Sequence, residues 1–272
     1  MLRTRIITAA VLIGLLLIVL LWLPPIATKF AMTAVVLAGA WEWSAFLKLQ
    51  RSSGRVLYVA AVAACLALVW QLSLAQPLCR LVLVVALVWW VIALLWVIFA
   101  PRRVAPWSAA LAGVLALIPA WVAMVRLRLD VPHGEQWLLF ALCLVWAADI
   151  GAYIAGRSFG RVKLAPQVSP GKTWEGVAGG LLFAAAVAVW GSWWFAVTVP
   201  KFVPLCLAVV AFSIVGDLTE SLLKRFAGLK DSGTLFPGHG GVMDRIDSLT
   251  GAMPVLLLGL VDLRLVDLGV AP

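Results

Sequence analysis

Charged residues are scarce in this chain. Of its 272 residues, only 12% are Asp, Glu, Lys or Arg and 64% are hydrophobic, whereas soluble domains carry about 25% charged residues. So little charge could not shield so much apolar surface from water, which excludes an ordinary soluble domain. The alternating segments of about ten residues that typify membrane β-barrels are also absent. The sequence instead contains continuous apolar blocks of the length that membrane helices need.

We therefore predict an all-α, polytopic membrane helix bundle with about nine transmembrane helices. The predicted spans are Ile6–Leu23, Phe30–Leu47, Val56–Leu74, Leu81–Phe99, Trp107–Val125, Trp137–Ala155, Val177–Val199, Phe202–Leu218 and Leu249–Val261. The last span is short and is followed by Asp262 and Arg264. The first is predicted to be an uncleaved helix, because Trp22-Leu23-Pro24-Pro25 does not resemble a small-residue cleavage site.

The net charge of +9 taken alone would suggest a nucleic-acid partner, but the basic residues are distributed unevenly about these spans. With the N-terminus in the cytoplasm, most of the 21 lysines and arginines fall in inner segments. The outer ones are Lys29, Arg80, Arg126, Arg128, Lys201 and Arg264. This is the positive-inside bias of membrane proteins, so we expect the bilayer and not nucleic acid as the partner, with both long polar loops in the cytoplasm.

The two halves of the chain differ in polar content, but we see no internal repeat and predict one continuous membrane domain. Residues 1–136 form N-terminal helices with short loops, in which Glu42 is an isolated acid near the inner end of its span. Residues 137–272 carry the long polar loops Arg157–Thr173 and Leu223–Ser248. Four cysteines lack metal-ligand spacing, and we interpret them as packing residues. They are Cys65, Cys79, Cys143 and Cys206.

Asp149 lies inside the sixth predicted span, where an acid is costly and often functional. Asp149, Tyr153 and Arg157 are four residues apart and share one helix face. A structural ion pair of Asp149 with a basic residue is an equal alternative. Close helix packing is predicted by a stripe of small residues on the same helix: Ala148, Ala152 and Gly156.

The segment Ser169-Pro170-Gly171-Lys172-Thr173 contains a Gly-Lys-Thr sequence. A P-loop needs a glycine five residues before Gly171, and Pro166 stands there. At the start of a helix, however, Ser169, Lys172 and Thr173 would favour an anion site. The alternative is a basic loop close to anionic lipid headgroups.

The segment Gly216–Asp247 combines acids, bases and glycines where an apolar chain leaves the membrane. Asp217, Glu220, Ser221 and Lys224 share one helical face. Carboxylates with phosphate oxygens are typical Mg²⁺ ligands, so we expect Asp217 and Asp244 to share a divalent cation. The alternative is a purely structural pairing of Asp217 with Lys224 and of Asp244 with Arg225.

At these residues the chain resembles the phosphatidate cytidylyltransferase family, also called CDP-diacylglycerol synthase. The family pattern is Ser, one residue, an apolar residue, Lys-Arg, four residues, Lys-Asp, a Pro/Gly turn, His-Gly-Gly and Asp-Arg-x-Asp. It stands here without a gap from Ser221 to Asp247. The resemblance, which covers roughly Trp146–Asp247, implies transfer of a cytidylyl group from CTP to phosphatidate at a bacterial inner membrane.

The resemblance also implies cofactors, an oligomer and residue roles. Asp217 and Asp244 match the family's metal-binding acids for Mg²⁺, beside which a monovalent cation such as K⁺ is implied, and the protein would be a homodimer. The catalytic set would be Asp217, Asp244, Lys224, Arg245 and Asp247. The substrate-binding set would be Asp149, Ser169, Lys172, Thr173, Ser221, Arg225, Lys230, Asp231, His239, Gly240 and Gly241.

Two other classes of protein stay open at this point. An ion-coupled transporter would use Asp149 and Asp217 as ion sites, but transporters often show repeats and paired broken helices, which we do not find. A CTP-dependent lipid kinase or a CDP-alcohol phosphotransferase is nearer in chemistry. The Asp-Gly-x-x-Ala-Arg signature of the phosphotransferases is absent from the sequence.

Overall fold

The structure, a computed structural model, describes residues 2–49, 51–72, 76–236 and 240–268. These residues form nine α-helices and one antiparallel β-hairpin, which confirms the all-α class. The helices are α1 (Leu2–Leu17), α2 (Pro25–Trp43), α3 (Ser52–Leu72), α4 (Gln76–Phe99), α5 (Pro106–Asp130), α6 (Gly134–Phe159), α7 (Trp174–Trp194), α8 (Val199–Ala227) and α9 (Met243–Asp262). The strands β1 (Lys163–Ala165) and β2 (Ser169–Thr173) lie between α6 and α7.

The helices α2 to α8 are long and apolar enough to cross a membrane, which gives seven candidate spans among the described residues. The prediction of a polytopic membrane bundle is thereby confirmed. The apolar helix Ile7–Trp22 is shorter than these seven. The helix α9 is 20 residues long, but Asp244, Arg245 and Asp247 occupy its first turns, so only its later part is apolar.

The polar loops are shorter than the sequence predicts because charged residues at the ends of the spans remain helical. The helix α6 continues to Phe159 and α8 to Ala227, whereas the predicted spans end at Ala155 and Leu218. The second loop shrinks accordingly to residues 228–242. The helix α7 ends at Trp194, so the predicted span to Val199 wrongly included the turn before α8.

The helices α6 and α7 pack with their backbones close together. A Cβ atom added at Gly180 would lie 2.9 Å from the carbonyl oxygen of Ala148, and one at Gly176 would lie 3.1 Å from that of Ala152. The predicted small-residue stripe is therefore confirmed as the contact surface. This packing fixes the end of α6 against the start of α7, and the hairpin projects between them.

The helix α9 lies in the centre of the bundle and contacts α2 and α5 of the first half as well as α8. Its side chains Met253, Leu256, Leu257 and Leu260 are fully buried. A Cβ atom at Gly216 of α8 would lie 2.5 Å from the carbonyl oxygen of Asp247. The acidic part of α8 thus lies directly beside the first turns of α9.

Candidate active site

A backbone hydrogen bond connects the residue before the hairpin to the first residue of α7. The amide of Trp174 donates to the carbonyl oxygen of Val162 over 2.9 Å, and the hydroxyl of Thr173 accepts from the amide of Gly176 over 3.1 Å. The prediction that this segment lies at the start of a helix is confirmed for Thr173, whereas Ser169 and Lys172 lie in the strand that leads into that helix. All three belong to β2, and the Thr173 hydroxyl serves as the N-cap of α7.

Lys172 projects from β2 to the acidic face of α8. Its Nζ lies 2.5 Å from Oδ2 of Asp217, and both side chains are partly exposed. The Ser221 hydroxyl donates to Oδ1 of the same carboxylate over 3.3 Å. The predicted shared face of Asp217 and Ser221 is confirmed, and the hairpin contributes the cation that meets it.

Lys224 lies one turn after Glu220 on α8, between the carboxylates of Glu220 and of Asp244 on α9. Its Nζ is 2.5 Å from Oε2 of Glu220 and 2.7 Å from Oδ1 of Asp244. The Glu220 side chain is only 1% exposed and that of Asp244 only 9%. Buried carboxylates need such a partner, because an uncompensated charge in the protein interior is strongly destabilising.

These ion pairs differ from the structural pairing that the sequence left open. Asp217 meets Lys172 in place of Lys224, and Asp244 meets Lys224 in place of Arg225. The Nε of Arg225 instead donates to the carbonyl oxygen of Val168, over 3.4 Å, between the two strands of the hairpin. Arg225 thereby links α8 to the hairpin.

Asp244 also closes the loop that precedes α9. Its Oδ2 accepts hydrogen bonds from the amides of Ser232 (3.0 Å) and Gly241 (2.9 Å), and from the Ser232 hydroxyl (3.0 Å). Asp244 precedes the apolar part of α9. Burial opposes its ionisation, but the Lys224 ammonium and these amides outweigh burial, so the pKa of this carboxyl lies below its ordinary value.

The first half of the chain contributes one acid to this region. Glu42 of α2 is only 7% exposed. Its carboxylate accepts hydrogen bonds from the Ser232 hydroxyl (2.8 Å) and from the amides of Val242 (3.0 Å) and Met243 (2.8 Å). The sequence identified Glu42 only as an isolated acid, with no assigned role.

Three further predicted residues lie in the same charged region. The charge of Asp149 interacts with those of Asp217, Lys172 and Arg245. Buried Asp247 interacts with Asp217 and Lys224. Acids and bases from α6, β2, α8 and α9 therefore meet at one end of the bundle.

The remaining predicted residues belong to the loop 228–242. Lys230 and Asp231 are exposed. Gly240 has a φ of 79°, a conformation that favours glycine, and it forms a β-bridge with Phe236. Gly241 donates to Asp244, as described above. His239 lies outside the described residues.

Carboxylates and phosphate oxygens suit Mg²⁺. Among the described residues, no group of three or more His, Cys, Asp or Glu side chains is placed to hold a metal ion. Two carboxylates completed by substrate phosphates still fit by donor chemistry. Asp217 is partly exposed, and Oδ1 of Asp244 accepts from Lys224 while Oδ2 holds the loop. Each acid therefore retains oxygen lone pairs.

The predicted site residues did not include three that the structure adds: Glu42, Glu220 and Ser232. Glu220 was visible on the same helical face as Asp217 and Lys224, which is the signal that could have included it. Ser232 carries no such signal. Its role depends on a fold-back of the loop 228–242 that joins it to both Glu42 and Asp244.

The sequence is similar, over nearly its whole length, to known proteins of one family. The sequence model of the cytidylyltransferase family matches residues 3–261. The chain is 44% identical over 262 residues to the phosphatidate cytidylyltransferase of Pseudomonas aeruginosa, across 94% of this chain and 95% of that protein. It is 41% identical over 279 residues to the enzyme of the same name from Haemophilus influenzae, across 93% of this chain and 96% of that protein.

Proposed function

Because the chain belongs to the cytidylyltransferase family, we propose that it transfers the cytidylyl group of CTP to phosphatidate, forming CDP-diacylglycerol and pyrophosphate. The observation that carries this proposal is a pair of lysine–aspartate ion pairs at one end of an apolar bundle. Lys172 pairs with Asp217, and Lys224 pairs with Asp244. Such a site suits a polyphosphate, and the bundle suits a substrate that stays in the bilayer. Nearly full-length similarity to phosphatidate cytidylyltransferases supports the choice of substrates.

In this reaction a phosphate oxygen of phosphatidate attacks the α-phosphorus of CTP. The bond from the α-phosphorus to the oxygen that bridges it to the β-phosphorus breaks, and pyrophosphate leaves with that oxygen. Such transfers need mainly alignment and neutralisation of charge. Phosphatidate is already anionic at neutral pH, so the site does not need a strong general base.

The lysines and arginines of the site hold phosphate groups. Lys172 and Lys224 stand beside carboxylates, and each exchanges its carboxylate for phosphate oxygens when CTP binds. Arg245, on the first turn of α9, and Arg225 suit bidentate phosphate contacts. Lys230 lies exposed on the loop 228–242, where it can reach the outer phosphates of the nucleotide.

Asp217 and Asp244 hold Mg²⁺, with K⁺ as a second, monovalent cation. When bound, Mg²⁺ neutralises charge on the triphosphate and on the leaving oxygen. Asp247 belongs to the catalytic set and Asp149 to the substrate-binding set beside this pair. Ser169, Thr173, Ser221, Asp231, His239, Gly240 and Gly241 complete the substrate-binding set.

The enzyme is a homodimer of the bacterial inner membrane with its active site facing the cytoplasm. The uneven distribution of lysine and arginine supports this orientation, and CTP is supplied from the cytoplasm. The site residues lie together at the end of the bundle that this distribution assigns to the inside.

Purified protein supplied with labelled CTP and phosphatidate tests the proposal. The expected products are a labelled CDP-lipid and unlabelled pyrophosphate when the α-phosphate carries the label. A CTP-dependent lipid kinase would instead release labelled CDP, and a transporter would leave CTP intact. Either of these results would refute the proposed reaction.

A further inference from the structure

Glu42 of α2 connects the first half of the chain to the loop 228–242 and to the first turn of α9, which carries Asp244. Its carboxylate accepts three hydrogen bonds from residues 190 or more positions later in the sequence. The three donors are uncharged, and two of them are backbone amides. Gly233 and Gly241 lie so close to this carboxylate that a Cβ atom at either position would collide with it.

The two amides belong to the beginning of α9. The first amides of a helix have no intrahelical partner, and the residue at the N-cap position, Val242, has no polar side chain to supply one. A carboxylate at a helix N-terminus is also stabilised by the helix dipole. Glu42 therefore caps α9 from a different helix, and it does so one residue before Asp244.

Ser232 connects the two carboxylates directly. Its hydroxyl lies 2.8 Å from Oε2 of Glu42 and 3.0 Å from Oδ2 of Asp244. It also accepts a hydrogen bond from the amide of Asp244 over 3.2 Å. A hydroxyl has one proton to donate, so Glu42 and Asp244 share it, and Ser232 links the positions of the two carboxylates. A displacement of Glu42 would therefore move both the side chain and the backbone of Asp244.

We propose that Glu42 is a positioning residue for the cytidylyl transfer, which acts through Ser232 and the first turn of α9 to orient Asp244 and its partner Lys224. This inference rests on the proposed function. Glu42 itself does not contact the substrates. Its role explains why an acid is buried near the inner end of α2, beside two glycines of the loop 228–242.

The test compares Glu42→Gln, Ser232→Ala and the double variant. Glu42→Gln keeps the size of the side chain but replaces one accepting oxygen with an NH₂ group. This donor would face at least one N–H or O–H group that now donates to Glu42. We expect a lowered melting temperature, because a buried donor is left poorly matched, with the protein still folded at the assay temperature. The KM for CTP should stay within about threefold, and kcat should fall by roughly tenfold to a hundredfold, the change produced by loss of one charge-assisted hydrogen bond. Ser232→Ala should lower kcat in the same way.

Non-additivity distinguishes this role from a merely structural one. If Glu42 acts through Ser232, the double variant should lose little more kcat than one single variant, because coupled residues do not contribute independently. If the two residues acted independently, the fold losses in kcat of the two single variants would instead multiply in the double variant. The matched control is Glu135→Gln, which removes a carboxylate paired with Arg128 at the opposite end of α6 and should leave kcat unchanged.

A folded Glu42→Gln variant with the kcat of the wild type would overturn the proposal. If that variant does not fold, Ser232→Ala decides, since it leaves both backbone hydrogen bonds to Glu42 in place. A lowered kcat then supports the role and an unchanged kcat refutes it. Failure of the proposed function is distinct, because the wild-type protein itself would then form no CDP-lipid.

Discussion

The Lys172 ammonium lies 2.5 Å from the Asp217 carboxylate, although 45 positions separate the two residues in the sequence. The hairpin between α6 and α7 makes this contact possible, since it returns the chain over the end of α8. Because both side chains are partly exposed, the pair adds little to stability, and a surface ion pair is worth at most about 1 kcal/mol. Its value to the protein is therefore expected in function.

Lys172→Ala should accordingly weaken the use of CTP more than it weakens the fold. We expect kcat/KM for CTP to fall by roughly tenfold to a hundredfold, as loss of one charge-assisted phosphate contact predicts, with the melting temperature nearly unchanged. The matched control is Lys163→Ala, which removes an exposed lysine from the neighbouring strand. Equal kinetics of the two variants would reduce Lys172 to a headgroup contact.

Asp217→Asn and Asp244→Asn should differ in stability. Asp244 accepts from Lys224, two amides and a hydroxyl, so its replacement leaves buried donors poorly matched and should cost about 1–3 kcal/mol. Asp217→Asn breaks a partly exposed pair and should cost less than about 1 kcal/mol. Thermal unfolding of both variants in the same detergent measures the difference. Equal losses would show that the loop 228–242 does not depend on Asp244.

The sequence predicts those parts of the site that lie within one helix. The contacts of Asp217 with Ser221 and of Glu220 with Lys224 follow from a spacing of four residues, and both are present. The small-residue stripe of α6 was predictable for the same reason. Local periodicity is sufficient wherever both partners share an element.

Contacts between elements were not predictable in this way. The strands of the hairpin are three and five residues long, too short to show a periodic pattern in a basic segment. The choice of Lys172 over Lys224 as the partner of Asp217 depends on that hairpin. Likewise, Glu42 caps α9 only because α2 and α9 pack side by side in the folded bundle.

The proposed cytoplasmic orientation predicts which sites react with membrane-impermeant thiol reagents. Ser158 and Leu235 are exposed in the two polar segments, whereas Ser232 is buried and would be a poor probe. In a background without the four native cysteines, Ser158→Cys and Leu235→Cys should be labelled only when the membrane is permeabilised, so that the reagent reaches its cytoplasmic face. Labelling in intact cells would overturn the orientation.

Binding of the divalent cation should depend on both Asp217 and Asp244. Asp→Asn keeps the shape of each side chain but removes a charge and a strong Mg²⁺ ligand. Either Asp217→Asn or Asp244→Asn should abolish formation of CDP-diacylglycerol, and EDTA should abolish the activity of the wild type until Mg²⁺ is restored. The control is Asp262→Asn, which removes an acid paired with Arg80 at the other end of the bundle and should remain active.

Two outcomes would contradict a shared cation. If the two acids serve only to hold Lys172 and Lys224, activity should survive EDTA. Asp217→Asn should then stay folded and active, and Asp244→Asn should lose activity only through unfolding. Binding provides a readout that is independent of turnover. Mn²⁺, which prefers the same oxygen ligands, should bind the wild type with CTP more tightly than it binds either Asn variant. Equal Mn²⁺ affinity in all three proteins would place the metal on the nucleotide alone, because an ion bound through bonds of about 2.1 Å must lose affinity when a charged ligand is removed.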